Sequence, residues 1–136
     1  MDLAAALAFA RANHRGVLAT SRPDGRPALT PVVAGVDDAE RIVISTRETA
    51  YKVHNLRARS EAACCLFSDA FFGPWVQLEG PVEIVPLPGA LDGLVALYRQ
   101  VAGEHPDWDE FAAAMRSERR VLLRLTPTRV GPTLAG

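Results

Sequence analysis

The chain has 136 residues and 49% of them are hydrophobic, a length that fits one domain over residues 1–136 and a composition that excludes a disordered chain. Fifteen Lys and Arg against sixteen Asp and Glu leave a net charge of −1 with no basic block, so neither nucleic acid nor anionic membrane is an expected partner. The opening MDLAAALAFARAN has an acid at position 2 and an apolar run far below the roughly 18 residues a span needs, so a soluble cytoplasmic protein is expected.

Residues 2–13 predict a helix, with Leu3, Leu7 and Ala10 on one face. GVLATS (16–21) is a short strand, closed by the turn chemistry of Pro-Asp-Gly. ALTPVVAGV (28–36) predicts the returning strand; Pro31 cannot donate to a ladder, so that side should be an edge, a bulge or a wall facing something else. RIVIST (41–46) is a third strand. A helix is predicted over 49–59, with Thr49 as N-cap and Val53 and Leu56 on its apolar face. AACCLF (62–67) is a buried strand in which adjacent Cys64 and Cys65 point to opposite faces and act as small hydrophobes. WVQLEGPVEIV (75–85) is a long strand, and Gly80-Pro81 marks a bulge or sharp bend. Two helices, GALDGLVALYRQVAG and DWDEFAAAMRSE, precede a last strand at 120–127, and no element is assigned to the tail TRVGPTLAG. Six strands in mostly adjacent order, with helices inserted late, describe an antiparallel barrel with helical decoration.

Most common chemistry is missing. There is no GxGxxG, GxxxxGK[ST], GxSxG or HExxH, and His14, His54 and His105 lack ligand spacing, so no metal site is expected. Asp107 and Asp109 flank Trp108 as a helix start would. One stretch stands apart, STRETAYKVHNL, because Lys52 is the chain's one lysine among fourteen arginines. Ser45 and Thr46 end a strand, a helix begins at once, and Lys52 lies in its first turn with Arg47 nearby. Free helix amides, two hydroxyls and two cations are what a phosphate ester requires. Solvated helix-surface charges and a plain cap would use the same residues.

The order GVLATSRPDGRPALTPVVAGVDDAERIVIST, AYKVHNLRARSEAACCLF, WVQLEGPVEIV and YRQVAGEHPDWDEF…M…ERRVLLRLTPTRV resembles the pyridoxamine 5′-phosphate oxidase-like superfamily of split β-barrel flavin proteins. More narrowly it resembles the deazaflavin (coenzyme F-420) dependent branch. Where that family has an acidic-Pro pair after the NLR helix, this chain has Ser60-Glu61, a departure on a surface turn. The resemblance implies a mainly β, six-stranded antiparallel split barrel of the FMN-binding type, homodimeric, with cofactor sites at the interface. It also implies that Thr30, Pro31 and Val32 run along the isoalloxazine-type ring, and that Ser45, Thr46, Arg47 and Lys52 hold the phosphate, with Asn55 a turn further on. Phe72, Trp75 and Gln77 would face cofactor or substrate, across the interface. The implied activity is hydride transfer to a conjugated small-molecule acceptor; the alternatives are an FMN-binding relative and a non-catalytic cofactor carrier. Arg57, Arg59 and Arg47 are candidate partners for the deazaflavin's polyanionic tail.

Overall fold

The computed structural model describes residues 1–132. In chain order the elements are α1 (Leu3–Ala12), β1 (Arg15–Ser21), β2 (Pro27–Val36), β3 (Ile42–Arg47), α2 (Tyr51–Ala58), β4 (Glu61–Phe67), β5 (Trp75–Pro86), α3 (Leu91–Ala102), α4 (Trp108–Ser117), β6 (Arg120–Leu125) and β7 (Arg129–Gly131). Every pairing is antiparallel. β1 lies between β2 and β4, β2 continues to β3, β3 to β6, β6 to β5, and β5 returns to β4, which closes a six-stranded barrel. β7 is an addition on β5, in the tail to which the sequence assigned nothing.

Closure depends on two strands that change partners along their length. β5 pairs with β4 from Trp75 to Pro81 and with β6 from Val82 to Pro86. The predicted bend at Gly80-Pro81 falls at this change. A Cβ on Gly80 would lie 1.9 Å from the Thr126 carbonyl oxygen, so only glycine lets the two segments approach. β2 pairs with β1 up to Val33 and with β3 from Ala34 to Val36. The outer side of its first half is left without a strand.

The alternation of strand residues sorts the apolar side chains into two cores. Ile42, Ile44, Val121, Leu123 and Leu125 point into the barrel with Leu18, Leu66 and Leu78, where α1 adds Leu7 and α2 adds Val53 and Leu56. Val43 and Leu122 point outward and pack under Leu94 and Leu97 of α3 and Phe111 of α4. Burial on both faces explains why β3 and β6 read as continuous apolar runs. Cys64 is a buried core residue, while Cys65 on the other face is half-buried; both thiols are free.

Helix starts differ in how they are capped. Asp107 caps α4 through its side chain, which accepts from the amides of Asp109 and Glu110. The α2 start departs from expectation: Ala50, not Thr49, occupies the N-cap, and no side chain bonds the first amides. The Val53 and His54 amides donate to the Ala50 carbonyl at 3.0 and 3.2 Å, which leaves those of Tyr51 and Lys52 without a local partner.

Candidate functional site

The open side of β2 is the starting point. The Ala34 amide donates to the His14 carbonyl at 2.7 Å, so the even-numbered peptide groups of β2 face β1. The odd-numbered groups of Leu29, Pro31 and Val33 therefore face the open side. Pro31 stands where its missing N–H removes nothing from the ladder, as the sequence required. Leu29 and Val33 are 65% and 48% exposed, which leaves an apolar, flat strand edge.

Next to this edge lies a cleft of about 510 Å3. It is lined by Pro31, Val32 and Val33 of β2 and by Leu97, Tyr98, Phe111 and Met115 of α3 and α4. α3 is fastened to β2 by Gln100, whose amide accepts from the Val36 N–H and donates to the Val36 carbonyl, both at 2.8 Å. Gln100 thus imitates a neighbouring strand where β1 has ended. Gly35 permits the approach, since a Cβ there would come within 2.6 Å of the Gln100 oxygen.

Polar groups converge at one end of the cleft. Ser45 and Thr46 at the end of β3, Lys52 in the first turn of α2, and Arg120 at the start of β6 all line it. Burial, and then the charge of Arg120, lower the Lys52 pKa from its usual value. Among the described residues no carboxylate lies within ion-pair distance of Lys52. Two cations share a half-buried place, and one of them has no counter-charge. Arg120 has its counter-charge in Glu118, whereas Lys52 has none among the described residues.

Arg120 is held from the other side. Its Nε and Nη2 donate to Oε1 of Glu118 at 3.0 and 2.7 Å, and Arg47 reaches the same oxygen at 3.6 Å. The hydrogen bond from Arg120 is the main cause that lowers the Glu118 pKa. Arg119 pairs with Glu48, and the Glu48 amide donates to the Arg119 carbonyl at 3.0 Å. The α4–β6 turn is thereby fastened to the turn that leads into α2.

The structure brings together Pro31, Val32, Ser45, Thr46 and Lys52 in this cleft, and adds Arg120, which sequence reasoning missed. Arg120 pairs with Arg47 across β3 and β6, so a neighbour of the site lies 73 positions away in sequence, with no local motif to mark it. Val32 is 9% exposed and packs in the barrel core, so it offers the cleft little more than its rim. Arg47 is exposed, lies 3.6 Å from Glu118 and does not line the cleft. Thr30 and Asn55 line a neighbouring depression with Leu29, Tyr51 and His54. Asn55 is buried there and donates to Thr20 Oγ1 at 3.1 Å. Trp75 and Gln77 line a third depression beside β7. Phe72 projects from the β4–β5 loop, 98% exposed, and Arg57 and Arg59 do not line the cleft.

Comparison with known proteins agrees with this architecture. A family model described as pyridoxamine 5′-phosphate oxidase matches residues 3–133. A conserved hypothetical protein of Mycobacterium tuberculosis superposes with a TM-score of 0.79 at 26% identity, over 100% of this chain and 92% of that one. An F420 reductase superposes with a TM-score of 0.66 at 24% identity, over 88% and 90% of the two chains. The haem storage protein HutZ of Vibrio cholerae gives 0.72 at 16% identity, over 96% and 94%.

Proposed function

Because the chain belongs to the pyridoxamine 5′-phosphate oxidase family, we propose that it is an oxidoreductase that uses the deazaflavin coenzyme F-420. It would transfer a hydride between that cofactor and a conjugated small molecule such as an enone or a quinone. The observation that carries this reading is the pair Lys52 and Arg120, without a carboxylate on Lys52, at one end of a flat apolar cleft. A phosphate would complete the charges, and a planar ring would cover the open edge of β2. The shared fold of an F420 reductase supports the choice of cofactor.

The chain's own tasks follow from the geometry. Lys52, Arg120, Ser45, Thr46 and the unpartnered amides of Tyr51 and Lys52 at the start of α2 would grip the phosphate. The edge peptide groups of Leu29, Pro31 and Val33 offer carbonyls and two N–H groups to the rim of a ring. Leu97, Tyr98, Phe111 and Met115 exclude water from its other face. When bound, the cofactor supplies the hydride chemistry. Arg47, exposed and outside the cleft lining, would be a cation for a polyanionic tail. The cleft lining contains no His or Cys, which disfavours haem ligation through those residues. Exposed Leu29, Phe71, Phe72 and Trp75 form apolar surface that a second copy would cover. In such a homodimer Phe72, Trp75 and Gln77 could approach the other copy's site.

The test is a fluorescence titration with F-420 and with FMN, followed by turnover with reduced cofactor on a panel of enones and quinones. Tighter binding of F-420 with turnover is the expected result. Binding of FMN alone would make the protein an FMN-binding relative. Binding of F-420 without turnover on any acceptor would make it a carrier.

A further inference from the structure

We infer that Arg120 is a second phosphate-binding residue and that Glu118 is its positioning residue, acting through Arg120 and never touching the ligand. The inference deepens the reading above and rests on a phosphate group occupying the polar end of the cleft.

Arg120 has five N–H donors in a fixed plane. Glu118 occupies the Nε side, through Nε at 3.0 Å and Nη2 at 2.7 Å. The fork formed by Nη1 and the second Nη2 hydrogen stays available, and a guanidinium fork matches two oxygens of a phosphate. Glu118 is itself well anchored. It forms the C-cap of α4, and the following residue, Arg119, is bonded to Glu48 on the turn into α2. Through this path Arg120 is tied to the turn that leads into α2, the helix that carries Lys52. A free arginine would have to be ordered at the moment of binding, at an entropic cost that Glu118 removes beforehand.

Charge alone argues the opposite. Glu118 is a carboxylate close to an anion site, and its bare field repels a phosphate. Positioning and repulsion therefore predict opposite signs for Glu118→Gln, and that sign is the test. Affinities would be measured for inorganic pyrophosphate, FMN and F-420, and for riboflavin as a ring without phosphate. Arg120→Gln is expected to weaken the phosphate-bearing ligands by about ten- to hundredfold and to leave riboflavin unchanged. Glu118→Gln is expected to weaken them about three- to tenfold, despite the added net positive charge. Arg120→Lys, which keeps the charge and loses the fork, should resemble Arg120→Gln more than wild type.

Tighter binding in Glu118→Gln would overturn the positioning role. Unchanged pyrophosphate binding in Arg120→Gln, or no pyrophosphate binding by the wild type, would overturn the site. Equal losses for riboflavin and FMN would mean a general structural effect and would also overturn it. If neither F-420 nor FMN binds, the proposed function fails while the pyrophosphate arm still decides this inference. Circular dichroism and melting curves identify any variant that has not folded, and Arg120→Lys then carries the comparison.

Discussion

Replacing Lys52 by alanine removes an ammonium group that has no ion-pair partner among the described residues and sits beside Arg120. In the ligand-free protein little is lost, since no side-chain bond among the described residues breaks and the repulsion from Arg120 disappears. With a phosphate bound, one charge-assisted hydrogen bond is lost, about 1.5–3 kcal/mol. This corresponds to a rise in Kd of about 10- to 150-fold. The assay is a cofactor titration of both proteins, paired with urea unfolding of the ligand-free forms. The expected pattern is a large change in Kd with almost no change in the unfolding midpoint. Unchanged affinity in a folded variant would refute the phosphate placement.

The pH dependence sharpens the same experiment. The Lys52 pKa is lowered from 10.5, first by burial and then by Arg120. In the alkaline window between the folded value and 10.5, the unfolded chain holds the proton that the folded chain has released. The unfolded state thus binds more protons there, and this group's contribution to ligand-free stability rises with pH. Below the folded value its cost is fully present. A bound phosphate favours the charged form, so cofactor affinity should fall as pH rises through the free protein's Lys52 pKa. In Lys52→Ala that alkaline fall should vanish. A wild-type affinity that is flat across this window would contradict the assignment.

Two further substitutions test the frame around the cleft. Gly80→Ala places a Cβ 1.9 Å from the Thr126 carbonyl and should lower stability by at least about 1–3 kcal/mol in urea unfolding. Gly89→Ala, whose nearest neighbour would be 3.6 Å away, is the control and should be nearly neutral. Asn55→Ala breaks the 3.1 Å bond to Thr20 and leaves a buried hydroxyl alone, at a cost of about 1–3 kcal/mol. Its effect on cofactor Kd should be smaller than that of Lys52→Ala. A larger effect would give Asn55 a direct contact with the ligand.

Local chemistry was readable where one residue type forces one geometry. Pro31 announced an open strand edge, Gly80-Pro81 announced the bend at which β5 changes partners, and Asp107 announced the start of α4. Thr49 misled because a capping residue was judged by type alone, while the turn Arg47–Ala50 closes one residue later through an amide bond from Ala50 to the Arg47 carbonyl. Val32 lines the cleft between Pro31 and Val33, yet strand alternation turns most of its side chain into the barrel core, where it is 9% exposed.

The least readable part of the site is also its most telling. Lys52 was singled out by composition, yet an isolated lysine on a helix is ordinarily just a solvated charge. What changes its meaning is Arg120, which lines the same cleft because β3 pairs with β6 along their full length. That pairing follows in turn from the apolar runs at 42–44 and 121–123, which must be buried on two faces and so need both a barrel and the α3–α4 cover. The same burial that builds the second core brings α3 and α4 to a cleft that they line together with β2. Packing thus places two like charges together at a cost, and nothing among the described residues neutralises Lys52. The anionic ligand proposed for that end of the cleft would supply Lys52 with the counter-charge it lacks among the described residues.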